Sequence, residues 1–218
     1  MTRHTWLLPA LAVVGGCLLR NPDAPRFFRP ASAILDATPE DDVDPSATGR
    51  IAIRLRGVRS EPFLRERIVW RVSEVEYGLY EQRRWIDLPE HYVERALRAR
   101  LRATPGLRLT NDVRAVALRV DVLAFDDVLA PTHAADVALS VALEDPVRGR
   151  LLARTFDARV GIEDGDPASM AKAMGEALDD AVAQVADATR LGVQAHGASA
   201  GDRRQPARGA RVVQPGHR

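Results

Sequence analysis

Cysteine is almost missing from this chain. Cys17 stands alone among 218 residues, which excludes an internal disulfide and any cysteine-rich zinc site. Lysine is as scarce. Lys172 is the only one, and every other basic side chain is arginine, which fits the codon usage of a GC-rich genome. Lys172 has neither the preceding glycines nor the following Ser or Thr of a Walker A loop, and no G-x-G-x-x-G occurs. His4, His91, His133, His196 and His217 never stand four apart, so no helical histidine pair is set up to hold a metal. A charge excess is missing too. With 31 basic and 30 acidic residues, nothing marks a nucleic-acid surface. No metal, cofactor or nucleic-acid partner is expected.

What the chain does have is a 46% apolar composition, enough to build a core. It also has a marked N-terminus. Arg3 and His4 precede an apolar run from Trp6 to Val14, too short for the ~20 residues that span a bilayer. The run ends in small residues, the form of a signal peptide over residues 1–16. Val14-Gly15-Gly16-Cys17 resembles the bacterial lipobox, which implies cleavage before Cys17 and lipid on its thiol. By the same resemblance, Leu18 rather than Asp after the cysteine implies an outer-membrane anchor facing the periplasm.

Residues 17–49 are expected to form a lipidated tether and an acidic, proline-bearing loop, with Phe27-Phe28 as a short strand or docking contact. Residues 50–193 read as one α/β domain. Period-two runs place strands at Ile51-Ile53-Leu55, Ile68-Trp70-Val72 and Val75-Tyr77-Leu79. Asp87 and Glu90 have capping-box spacing, Pro89 suits a first turn, and Val93, Ala96, Leu97 and Leu101 share one helical face that ends at Pro105-Gly106. Three long strands follow. The second and third are joined at Asp145-Pro146-Val147-Arg148-Gly149 as an antiparallel hairpin. A second helix opens at Asp166-Pro167 and carries a buried stripe from Met170 to Val185. Gly192 is expected to end it, leaving 194–218 as a disordered tail. There Arg203, Arg204, Arg208, Arg211 and Arg218 face one acid, Asp202.

Catalytic candidates are weak. Gly197-Ala198-Ser199-Ala200-Gly201 matches the G-x-S-x-G pattern, but a nucleophile elbow needs a strand before the serine and a helix after it. Asp126-Asp127 is a carboxylate pair whose side chains point to opposite sides of a strand end, and is expected to solvate the loop into Pro131. No catalytic residue is assigned. Tyr77, Tyr80, Arg84 and Trp85 combine the residue types of interface anchors, with plain packing as the alternative.

The stretch from Phe63 to Arg71, then Glu74 to Tyr80, Arg84-Trp85 and Leu88-Pro89-Glu90 resembles the ABC-type transport auxiliary lipoprotein family, the paraquat-inducible protein C-like group. The later Val120 to Phe125 run is similar to its central strand. The resemblance implies a three-layer α/β sandwich with a mixed, mostly antiparallel sheet and two packed helices. It further implies a non-catalytic accessory beside an ABC permease and ATPase and an Mce-domain protein that move lipid between membranes. Homo-oligomerisation stays open. The alternative is an envelope lipoprotein that scaffolds an outer-membrane machine without a transport partner.

Overall fold

The computed structural model describes residues 24–37 and 50–202, without the side chains of 196–202. Residues 1–16, read above as a signal peptide, Cys17, most of the expected tether and acidic loop, and residues 203–218 lie outside the described residues. In chain order the elements are β1 (Arg26–Phe28), α1 (Ala33–Asp36), β2 (Ile51–Ser60), β3 (Arg67–Arg71), β4 (Tyr77–Trp85) and α2 (Pro89–Ala103). Then come β5 (Leu107–Leu109), β6 (Val116–Val128), β7 (Ala134–Asp145), β8 (Gly149–Gly161) and α3 (Pro167–Asp202).

The sandwich-type α/β architecture is present as an open mixed sheet of eight strands. The antiparallel β6–β7–β8 meander carries most of the paired length. Its alternation is clean. Ala135, Val137, Leu139, Val141 and Leu143 are buried towards the helices, while Ala138, Ser140 and Ala142 are half-exposed on the other face. The hairpin forms as the spacing requires, with Asp145 Oδ1 accepting from Val147 and Arg148 N–H groups and Gly149 taking a φ of +80°. Helices α2 and α3 lie side by side on one face, and their apolar stripes merge into a single core with the sheet. The described residues supply one helical layer.

Strand β6 organises the rest. One of its edges pairs with β7 along almost its whole length. The other edge is shared: β2 runs parallel to it through Val122, and β3 runs parallel to it from Asp126. Strands β2 and β3 thus form one interrupted line. The break at residues 61–66 buries Leu64 and leaves Phe63 exposed.

Four local expectations are corrected. No capping box forms on α2: Leu88 is the N-cap, Asp87 Oδ1 accepts from the Leu88 N–H, and Glu90 accepts from Ser60 Oγ of β2. Asp87 is taken up by His91 and Arg95 of α2 itself, and only Glu90 finds a tertiary partner. Val75 is not in a strand but on an exposed turn before β4. Gly192 does not end α3. The helix passes through it to Asp202, buries Val193, and brings Gly192 against Leu143 of β7, where a Cβ would stand 3.3 Å from that side chain. The backbone from 194 to 202 is therefore helical rather than a tail, and Ser199 lies within the helix, outside the strand–turn–helix setting of a nucleophile elbow.

The N-terminal segment is strapped onto α3. Ala31 N–H donates to Ala171 O at 3.0 Å. Ser32 Oγ donates to Asp179 Oδ1, and Ala33 N–H donates to Asp179 Oδ2 at 2.8 Å, so one α3 carboxylate holds the start of α1. Gly175 permits this approach, since a Cβ there would meet the Ala31 backbone at 2.2 Å. Gly175→Ala is expected to lower stability in urea denaturation by about 1–3 kcal/mol through overpacking. In a free helix the same change would add up to about 1 kcal/mol. A stabilised variant would show that the strap does not sit there.

Candidate functional site: two buried carboxylates and an aromatic groove

Strand β6 ends in Phe125-Asp126-Asp127-Val128, and both carboxylates are 1% exposed. They do not solvate a loop as the sequence suggested. Pairing with β3 and β7 extends β6 past them and encloses both. Because successive strand residues point to opposite faces, each carboxylate founds a separate cluster.

On the face away from the helices, Asp126 sits between Arg71 of β3 and Asp136 of β7. Arg71 Nη2 donates to Asp136 Oδ2, and Arg71 Nε stands 3.3 Å from Asp126 Oδ2 without hydrogen-bond alignment. Arg159 of β8 closes the row at 4.0 Å from Asp136. On the helix face, Asp127 accepts from Tyr80 OH at 2.8 Å and pairs with His133 Nε2 at 2.7 Å. Buried carboxylates are costly unless paired, so these contacts hold the ends of β3, β4 and β7 on β6. Burial, then the hydrogen bond to Asp127, push the Tyr80 hydroxyl well above its ordinary range, so it remains a protonated donor. For Asp126 burial pushes the carboxyl up to about 6, against the opposing Phe125 N–H and Arg71 charge.

Beside the Arg71 cluster lies a groove of about 480 Å³ lined by Phe63, Val69, Tyr77, Leu79 and Leu123. Phe63 and Tyr77 rings stand 5.9 Å apart, and the Arg71 guanidinium lies 5.9 Å from the Tyr77 ring centre. The groove exists because the β2–β3 line is broken there, which bares Leu123 of β6 between its two partners.

The residues named from sequence do not form one surface. Trp85 is a core side chain, edge-on to Tyr92 and Phe125 at 6.4 and 5.3 Å. Tyr80 is half-buried, held by Asp127 below and by Arg83 at 4.2 Å from its ring centre. Arg84 is half-buried where β4 meets β1 and β3. Tyr77 alone is well exposed, at 47%, and belongs to the groove.

The profile of the ABC-type transport auxiliary lipoprotein component matches residues 34–186, which takes in the sheet from β2 to β8 and most of α3. The chain belongs to this family. Among curated proteins none matches the chain. The fold of this auxiliary lipoprotein recurs in a solved Xanthomonas campestris protein at 18% identity, covering 79% of this chain and 99% of that one with a TM-score of 0.64. A solved uncharacterized protein shares it at 15% identity, covering 76% and 98% with a TM-score of 0.58.

The family description gives the auxiliary lipoprotein an accessory role in ABC-type transport. In keeping with that role, the bonds of Asp127 and His133 run to each other and to Tyr80, an arrangement that braces strands. Among the described residues no group of three or more His, Cys, Asp or Glu side chains is placed to hold a metal ion.

The Asp126 shift sets a pH dependence. The folded chain keeps this proton to a higher pH than the unfolded chain, so the stabilisation is fully present below pH 3.8 and is lost as pH rises through about 6. The stability of the parent minus that of Asp126→Asn, from urea denaturation, is expected to fall by roughly 2 kcal/mol between about pH 4 and about pH 7. A difference that rises with pH would mean that the Arg71 charge, not burial, governs the carboxyl.

Proposed function

We propose that this protein is a lipid-anchored, non-catalytic accessory of an ABC transport system that moves lipid between membranes. It is held at the outer membrane through Cys17 and faces the periplasm, where it docks an Mce-domain protein served by a permease and ATPase. The observation that carries this reading is the family match across the α/β domain, joined to Val14-Gly15-Gly16-Cys17 ahead of it. Acyl chains on one cysteine give stable anchoring when more than one is attached. The start of the domain supports the reading physically, since β1 on β4 and then the strap onto α3 fix the chain that follows the tether at two successive places. Tyr80 and Asp127 brace the sheet that would present the docking surface.

A fatty-acid probe fed to cells is expected to label the wild type and to leave Cys17→Ser unlabelled. The immobilised full chain is expected to capture a permease, ATPase or Mce-domain component from solubilised envelopes. Equal labelling of both chains rejects the anchor. Capture of none of these components rejects the transport assignment.

A further inference from the structure

The apolar groove is an exposed feature that the fold leaves without a role. Phe63 and Tyr77 each keep about half of their surface in water, and Val75 on the adjoining turn is 91% exposed. Clustered exposed aromatic and aliphatic side chains mark a protein or membrane contact. The direction of the N-terminal chain decides between these. Strand β1 runs parallel to β4 with Arg26 beside Arg83, so the chain ahead of β1 points back along β4 towards Tyr77. From Arg83 to Tyr77 is about 20 Å along a strand. The chain from Arg26 back to Cys17 reaches at most about 30 Å. A lipid on Cys17 therefore brings a bilayer within reach of this end of the sheet. The second exposed valine turn, at Val147 between β7 and β8, lies at the opposite end of β6, which pairs with Tyr77's partner Arg71 through Val128 and with the β7 end through Ala117.

We propose that the Phe63, Val75, Tyr77 and Leu79 surface, with the groove between them, seats against the bilayer that holds the lipid anchor and takes acyl chains into the groove. This rests on the anchoring reading above. Tyrosine suits the boundary, its ring in the apolar zone and its hydroxyl in the headgroups. The lining is apolar apart from Glu61, and a zwitterionic phospholipid brings no net charge for that carboxylate to repel. Contact here orients the domain, with the β7–β8 turn away from the membrane.

The test uses the full chain, acylated or as Cys17→Ser, carrying Val75→Cys or Val147→Cys labelled with an environment-sensitive fluorophore. Both sites are 91% exposed, so neither change disturbs packing. The chains are mixed with phosphatidylcholine vesicles brominated on the acyl chains. The Val75 label is expected to shift to the blue and to be quenched, and the Val147 label to do neither. In the Cys17→Ser chain, adding Phe63→Ser and Tyr77→Ser is expected to lower vesicle partitioning at least about tenfold. Quenching at neither site, equal quenching at both, or unchanged partitioning of the serine variant overturns the proposal and makes the groove a protein-docking surface. Mass spectrometry of Cys17 separates the two readings. An acylated Cys17 with a Val75 label in water sinks the surface and leaves the anchor. An unmodified Cys17 with an inserted Val75 label in the Cys17→Ser chain sinks the anchor and leaves the surface.

Discussion

The pairing of β6 with two successive strands along one edge is the constraint on which the structure depends. Strand β2 occupies that edge as far as Val122 and β3 takes over at Asp126. The line of partners breaks at this handover, and on the opposite edge the β6–β7 register shifts between Val122 and Ala124. The shift moves the later residues to the other side of the pleat. Leu118, Val120 and Val122 face the helices before it, Phe125 and Asp127 after it. The same break expels residues 61–66 from the sheet, which exposes Phe63 and opens the groove. One topological event thus accounts for both the buried carboxylates and the exposed aromatic surface.

The carboxylates turn that break into a rigid junction. Buried apolar contacts alone would hold β3 and β4 weakly, because β3 is short and pairs with β6 through only its last residues. Arg71, Asp126 and Asp136 tie it on one face, and Tyr80 and Asp127 tie β4 on the other. Charged hydrogen bonds in a dry setting are directional, so they fix the angle at which the β3–β4 hairpin leaves the main sheet. That angle sets where the groove and the incoming N-terminal chain stand relative to α2 and α3.

Much of the scaffold was legible in the sequence, for a local reason. Period two in Val137-Leu139-Val141-Leu143 and the 3.6-residue stripe from Met170 to Val185 both report burial on one side of a regular element, and both sets of residues are buried. The hairpin at Asp145 to Gly149 was equally local, since its hydrogen bonds close within the turn. The family was visible because Phe63 to Glu90 holds several of its elements in order. Where residues had a choice of partners, local reading failed. Asp87 and Glu90 had capping-box spacing, yet His91 and Arg95 took one and Ser60 the other. Gly192 resembled a helix stop, but its lack of a side chain serves the packing of α3 on Leu143.

The candidate site lay furthest from local information. Asp126 and Asp127 are depleted residue types for a strand interior, so by sequence they read as a loop. Their partners Arg71 and Tyr80, and Asp136 beyond Arg71, come from three other strands, and Tyr80 lies 47 residues from Asp127 along the chain. The aromatic residues near β4 were recognisable as a group, but the bulge between β3 and β4 decided which face each one took, putting Trp85 in the core and Tyr77 in water. The sequence by itself determined most of the elements, their apolar faces and the family, because each is written in residues close together in the chain. Only the tertiary structure decided which carboxylates are buried and which aromatics stay exposed, because both depend on where β2 hands β6 over to β3.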